Sequence, residues 1–184
     1  MDLLCGYRAA VLLIVGVLGL AGCASTVPKA TFSHEIATNA RLAANDQAQV
    51  HVDASDGAKI LPFERQRFSE KIKAKIDSRK LANAADAGDP RSYEVNLHLT
   101  RYDKGNAFAR AMVAGLGQIH IDGTVSVYRM PEHTLVGEFQ LTKTFAWGGI
   151  YGAATSMEDI ENTFADGVAA SVTGQQEEPP KQKT

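Results

Sequence analysis

Side chains capable of covalent or metal chemistry are few in this chain, and their spacing excludes most of the usual arrangements. There are two cysteines, Cys5 and Cys23, and five histidines, His34, His51, His98, His120 and His133. Two thiols form at most one disulfide, and a four-cysteine zinc site is excluded. No HExxH motif and no pair of histidines at i, i+4 supplies a metal site. No GxSxG elbow presents a serine nucleophile. His98, His120 and Asp122 fall on the polar side of alternating segments, where they read either as an ordinary solvated face or as a surface metal site. Gly115-Leu116-Gly117 begins like a dinucleotide loop, but His120 stands where the third glycine belongs, and the segment leads into a strand instead of a helix. The pair Glu158-Asp159 is explained by a helix dipole. The expectation is therefore no catalytic residue, no metal and no cofactor.

Cys23 is different, because what precedes it is ordered. Ala9 to Leu20 is an uninterrupted apolar run of 12 residues behind Arg8. A bilayer-spanning helix needs about 20 residues to cross about 30 Å of hydrocarbon, so this run is too short to span. It has the length of the apolar region of an export signal. Leu20-Ala21-Gly22-Cys23 then resembles the lipobox of bacterial lipoproteins, in which the peptide before the cysteine is removed and the cysteine is acylated. That resemblance implies a signal peptide over residues 1–22 and lipid on Cys23. It also implies loss of Cys5, which leaves no intramolecular disulfide. Ala24 following the cysteine resembles the pattern sorted to the outer membrane in Gram-negative lipoproteins. Several acyl chains anchor a protein stably where a single one does not.

The composition fits a soluble domain on that anchor. The 184 residues carry 19 basic and 21 acidic side chains, for a formal charge of -2, which excludes a strongly basic protein built to track nucleic acid. The 45% hydrophobic content is inflated by the first 22 residues. Residues 23–45 read as a lipidated tether, with Phe32, Ile36 and Ala40 at the spacing of a short helix. Residues 174–184 (GQQEEPPKQKT) read as a disordered tail. A single domain over residues 46–173 lies between them.

Within that domain the periodicities are clear. Gln47 to Asp53 alternates weakly and predicts a strand. From Phe63 to Leu81, Phe68, Ile72 and Ile76 recur every four residues and predict an amphipathic helix that starts after Pro62. Its basic side chains (Arg65, Arg67, Lys71, Lys73, Lys75, Arg79 and Lys80) are either solvated or placed to meet anionic headgroups. A break at Gly88-Asp89-Pro90 follows. Tyr93, Val95, Leu97 and Leu99 alternate with polar residues, as do Ile119, Ile121, Val125 and Val127. After a turn at Pro131-Glu132-His133, Leu135, Phe139 and Leu141 resume the pattern towards Phe145. Ser156 reads as the N-cap of a second helix, with Met157, Ile160, Phe164 and Val168 as its stripe. The prediction is an α+β fold, two helices on one face of a mostly antiparallel sheet of about four strands, in the order β-α-β-β-β-α.

Two glycine-rich segments fall outside these patterns. Gly105 to Gly117 joins two strands, and Ala107 to Ala114 within it suits one or two helical turns capped by Gly115. Arg110 sits there among apolar neighbours and needs a partner, a backbone carbonyl or Asp103. Trp147-Gly148-Gly149-Ile150-Tyr151-Gly152 joins the last strand to the last helix and reads as a mobile loop. Its Trp147, Ile150 and Tyr151 either close the end of the sandwich or dock a protein partner or lipid.

The pattern Tyr102-Asp103-Lys104-Gly105-Asn106, Arg110, Gly115-Leu116-Gly117 and Gly148-Gly149-Ile150-Tyr151-Gly152 resembles a family of small Gram-negative lipoproteins of unknown function. The likeness runs from about Gln47 to Thr173 and implies no particular activity. The element order resembles, more loosely, the lipoprotein of lipopolysaccharide assembly and related envelope accessory proteins, a likeness of topology only. These readings converge on a non-enzymatic lipoprotein at the periplasmic face of the outer membrane. It would be held by Cys23 and would bind an envelope protein partner through Gly105, Asn106, Arg110, Gly115, Gly117, Trp147, Gly148, Gly149, Ile150 and Tyr151. The alternative is an envelope hydrolase or metal-dependent enzyme that uses the polar sheet face around His98 and His120.

Overall fold

A computed structural model of the chain describes residues 28–82, 89–113 and 115–175. Leu20, Ala21, Gly22 and Cys23, the break at Gly88 and residues 176–184 lie outside the described residues. Five strands form one sheet: β1 (Lys29–His34), β2 (Gln47–Ala54), β3 (Ser92–Asp103), β4 (Ile119–Met130) and β5 (Thr134–Phe145). They lie in the order β1-β5-β4-β3-β2. Four helices accompany them: α1 (Pro62–Ala82), α2 (Ala107–Met112), α3 (Gly149–Ala154) and α4 (Met157–Thr173).

The alternating segments behave as their periodicity demands. Tyr93, Val95, Leu97 and Leu99 on β3, Ile119, Ile121, Val125 and Val127 on β4, and Phe139, Leu141 and Phe145 on β5 all point into the core. Phe68, Ile72 and Ile76 of α1 and Ile160, Phe164 and Val168 of α4 cover them from one side. Phe68 and Phe164 meet edge to face across the two helices, with centroids 5.6 Å apart. The other sheet face, with Asn96, His98, Thr124, Ser126 and Gln140, is open and polar, as expected of a sheet covered on one side only.

Three features correct the sequence reading. The sheet has five strands, because Lys29–His34 of the expected tether pairs antiparallel with β5, Phe32 opposite Phe139. Only Phe32 and Ala30 of that strand reach apolar neighbours, so its alternation is too short to distinguish from helical spacing. In place of the short helix, a single 3-10 turn forms at Thr38–Ala40. Second, β2 runs parallel to β3, Val50 opposite Val95, while the other three pairings are antiparallel. A parallel pair requires a crossover, and α1 is that crossover. Third, Trp147–Ala154 is not a mobile loop: Gly149–Ala154 is helical. Residues Gly174 and Gln175 of the expected tail still belong to the fold, Gly174 as the left-handed C-cap of α4.

Three of the basic side chains of α1 are paired with α4 rather than solvated. Arg67, Lys71 and Arg79 bind Glu158, Glu161 and Asp166 of α4 at 2.7 to 2.8 Å. Glu161 is fully buried and also accepts from the Tyr102 hydroxyl at 2.6 Å. Desolvation pushes its pKa up, but the hydrogen bonds from Arg67, Lys71 and Tyr102 outweigh it and hold the carboxyl below the ordinary glutamate value.

Candidate functional site

Strands β3, β4 and β5 meet α2 and α3 at one end of the sheet, and the two glycine-rich segments pack there as a lobe. Asn106 begins α2 by accepting from the Ala109 amide at 3.0 Å, while its own amide donates to the Gly117 carbonyl. Gly105 has φ +61, and a Cβ on it would stand 2.3 Å from the carbonyl oxygens of Gly117 and Gln118. No larger residue fits that turn. The helix ends at Met112 and passes through an extended Val113, so Gly115 (φ +86) follows the cap instead of forming it. The Gly115 amide donates to the Ala146 carbonyl and so joins the first segment to the second.

Arg110 joins them again, from beneath. It is a buried side chain on a helix of six residues. Its Nε donates to the Gly152 carbonyl at 2.8 Å and its terminal nitrogens to the carbonyls of Gly117 (2.7 Å) and Thr155 (3.1 Å). Burial lowers its pKa from the ordinary guanidinium value, and of the two partners the sequence left open, a backbone carbonyl or Asp103, the carbonyls take these bonds. Gly152 is closely approached: a Cβ on it would lie 2.2 Å from the Trp147 carbonyl oxygen. The guanidinium is therefore a structural pin that satisfies carbonyls at the end of α3 and in the turn before β4.

With the charge turned inward, the outer surface of the lobe is apolar. Phe108, Met112, Val113 and Leu116 project from the first segment and Trp147, Ile150 and Tyr151 from the second, with Ile150 91% and Phe108 77% exposed. Trp147 and Tyr151 pack edge to face at 5.8 Å, and Tyr151 leans on Phe145 of the core. The structure thus brings together all ten residues expected to bind a partner. Gly105, Asn106, Arg110, Gly115 and Gly117 build the lobe, Gly148 and Gly149 open α3, and Trp147, Ile150 and Tyr151 are its surface. Ile150 and Tyr151 stand largely in solvent, whereas Trp147 is 39% exposed.

The polar face separates the residues considered for metal. His98 stands opposite Thr124, four residues along β4 from His120, so the two imidazoles do not converge. His120 Nδ1 instead meets Thr144 Oγ1 at 3.1 Å, and burial lowers its pKa. Among the described residues no group of three histidine, cysteine or acidic side chains is placed to hold a metal ion. His98 lies between Ser55 Oγ (2.9 Å from Nε2) and Asp53 Oδ1 (2.8 Å from Nδ1). These are the residue types of an acyl-transfer triad, but here the Asp53 and His98 side chains are 72% and 50% exposed. The Ser55 amide is committed to the Leu99 carbonyl. A triad works in a water-excluded site with a preorganised oxyanion pocket, and this chain of bonds lies on an open face.

One residue escaped the sequence reading. Lys143 occupies an inward position of β5 between Leu141 and Phe145, is buried, and has its pKa lowered by desolvation. It lines a cavity of about 400 Å³ under α3, with Phe145, Tyr151, Thr155, Asp159 and Ile160. Its place in the i, i+2 row was the available signal.

A single sheet backed by α1 and α4, with α2 and α3 as an apolar lobe at one end, defines a two-layer α/β domain. Residues 34–149 match the family described as domain of unknown function (DUF4410), more than half of the chain, and the chain belongs to that family. No curated protein matches it in sequence. Among solved structures it is similar to the PelC dodecamer from Paraburkholderia phytofirmans, at 12% identity and a TM-score of 0.50, over 81% of this chain and 99% of that one. A protein of Xanthomonas campestris from family DUF330 follows, at 12% identity and 0.45 over 72% and 88%. A provisionally assigned lipoprotein of Caulobacter crescentus stands at 16% identity and 0.35 over 68% and 85%. The PelC likeness shows a shared fold and nothing finer.

Proposed function

We propose that the protein is a lipid-anchored accessory of the bacterial cell envelope, held by Cys23 at the periplasmic face of the outer membrane, and that it works by binding an envelope component without catalysis. The observation that carries this reading is the lobe: an apolar surface on a glycine-shaped scaffold, pinned from within by Arg110. Contiguous exposed apolar surface on a soluble domain marks an interaction site. The apolar run ending in Leu20-Ala21-Gly22-Cys23 supports the anchor, and Ala24 supports the outer membrane.

A photo-crosslinking residue placed at Ile150 in intact cells tests the docking role, with exposed Ser78 on α1 as the control position. The expected result is adducts with envelope material at Ile150 that Ser78 does not give. Equal and minimal crosslinking at both positions would overturn the proposal.

A further inference from the structure

The exposed apolar side chains of this domain are not scattered. Among the described residues, the large ones are Leu61, Phe63, Phe108, Met112, Val113, Leu116, Trp147, Ile150 and Tyr151, together with Leu135. Topology places all but Leu135 at one end. β2 and β3 run parallel, so the end of β2, the start of α1 and the end of β3 share a pole. β4 pairs antiparallel with β3, so it starts there, and β5 ends there, with Ile119 opposite Phe145. The Lys104–Glu64 ion pair at 2.7 Å fixes the start of α1 against the turn after β3.

The chain also enters the fold from this pole. β1 runs antiparallel to β5 and begins with Lys29 opposite Thr142, three residues short of Phe145. The strand therefore begins towards the end of the sheet that carries α2 and α3. Only five residue steps separate Cys23 from Pro28. At about 3.3 Å per residue they span about 17 Å, enough to pass the roughly 10 Å of β5 left beyond Thr142.

Charge agrees with position. Gly105–Gly117 and Ala146–Ala154 contain a single charged residue, Arg110, and it is buried against carbonyls. What remains outside is aliphatic and aromatic, including one tryptophan and one tyrosine, the residues that sit at the boundary of headgroups and acyl chains. A protein-binding surface of ordinary kind has a polar, hydrogen-bonding rim, and these two segments supply no charged one.

We propose that this pole is a membrane seat: Phe108, Met112, Leu116, Trp147, Ile150 and Tyr151 enter the interfacial layer of the same phospholipid bilayer that holds the lipid on Cys23. The inference rests on the lipid-anchored docking reading and names the occupant of its surface. The seat fixes orientation as well as attachment. The sheet stands with β3, β4 and β5 pointing at the bilayer, and the open polar face with His98 and Gln140 is held clear of it.

The chain contains one tryptophan, Trp147, so its fluorescence reports on the seat alone. The acylated protein, processed to begin at Cys23, is reconstituted into vesicles of phosphatidylcholine, either unmodified or with dibromostearoyl chains. Bromine quenches indole only at contact distance, and an interfacial side chain reaches about 5–10 Å into the boundary, so the emission should fall by roughly half in brominated vesicles. Ile150→Asp, a change at an exposed position, should recover most of it while the acyl chains keep the protein on the vesicle. Emission unchanged by bromine overturns the lipid seat. If Ile150 then crosslinks a protein in cells, the docking reading stands without it, and if Ile150 crosslinks nothing, both fall. Quenching that Ile150→Asp leaves intact also overturns the seat, because Trp147 would then reach lipid without the lobe.

Discussion

Arg110 Nε lies 2.8 Å from the carbonyl oxygen of Gly152, and this bond ties the turn between β3 and β4 to the helix that follows β5. Two segments far apart in sequence, neither long enough to hold a helix alone, become one surface through a side chain that solvent does not reach.

The tie makes Arg110→Met a selective lesion. The thioether fills part of the space and leaves the carbonyls of Gly152, Gly117 and Thr155 without a donor, a loss of about 2–4 kcal/mol confined to the lobe. Hydrogen exchange should quicken at the Gly115 and Gly152 amides, whose acceptors are Ala146 and Gly148, while the central strands keep their protection. Uniform acceleration across β3, β4 and β5 would show that Arg110 supports the whole core instead.

Glu161→Gln tests the second buried network. The change removes the charge that Arg67 and Lys71 share and leaves two cations facing a neutral amide, at a cost of about 3 kcal/mol in urea unfolding. The wild type should also show an acid limb. A carboxylate whose pKa is lower in the folded state adds stability that is complete above its ordinary value of 4.5 and fades as pH falls through the lowered one. Asp46, Glu64 and Asp77 are lowered in the same sense, by hydrogen bonds from Arg91, Lys104 and the Lys73–Lys80 pair that outweigh desolvation. Stability should therefore hold steady above about pH 5 and decline below pH 4, with a shallower decline in Glu161→Gln. Equal slopes in the two proteins would remove Glu161 from the acid response.

How much of this was legible in the sequence follows from which forces are local. Periodicity placed β3, β4, β5, α1 and α4, because each buries one face against a common core and the pattern repeats along the chain. The ten lobe residues were legible as well, since glycine clusters, a lone arginine among apolar residues and Trp147 do not fit a sheet–helix pattern. What the sequence did not disclose depends on partners distant in the chain. β1 is a strand only because β5 offers it an edge, β2 is parallel only because α1 crosses over, and α3 is helical because Arg110 and the Trp147 carbonyl enclose Gly152. The pairing of the basic face of α1 with Glu158, Glu161 and Asp166 is a helix–helix contact of the same kind.

The anchor has its own test. Cys23→Ser removes the sulfur that takes the lipid, and membrane fractionation should move the protein from the membrane to the soluble fraction, or leave it as unprocessed precursor. Unchanged fractionation of a processed chain would refute the lipid attachment. If the lobe also seats in lipid, a weak residual association should survive in Cys23→Ser and vanish when Ile150→Asp is added.

The Ser55–His98–Asp53 chain of hydrogen bonds invites a direct check on the non-catalytic reading. A fluorophosphonate probe phosphonylates, with loss of fluoride, only serines activated by a neighbouring base in a preorganised site. Ser55, with its amide bound to the Leu99 carbonyl and its histidine in open water, should remain unlabelled over hours. Stoichiometric labelling that Ser55→Ala abolishes would contradict the proposal and favour a hydrolase.

The most direct test of the central claim is hydrogen exchange read by mass spectrometry on the acylated protein in native envelope membranes and in detergent. A lobe that docks in the envelope should show slower exchange on membranes over Phe108–Val113 and Ile150–Thr155, with α1 and the open sheet face unchanged. Identical exchange of both lobe segments in the two settings, or slowing confined to β2 and α1, would contradict it.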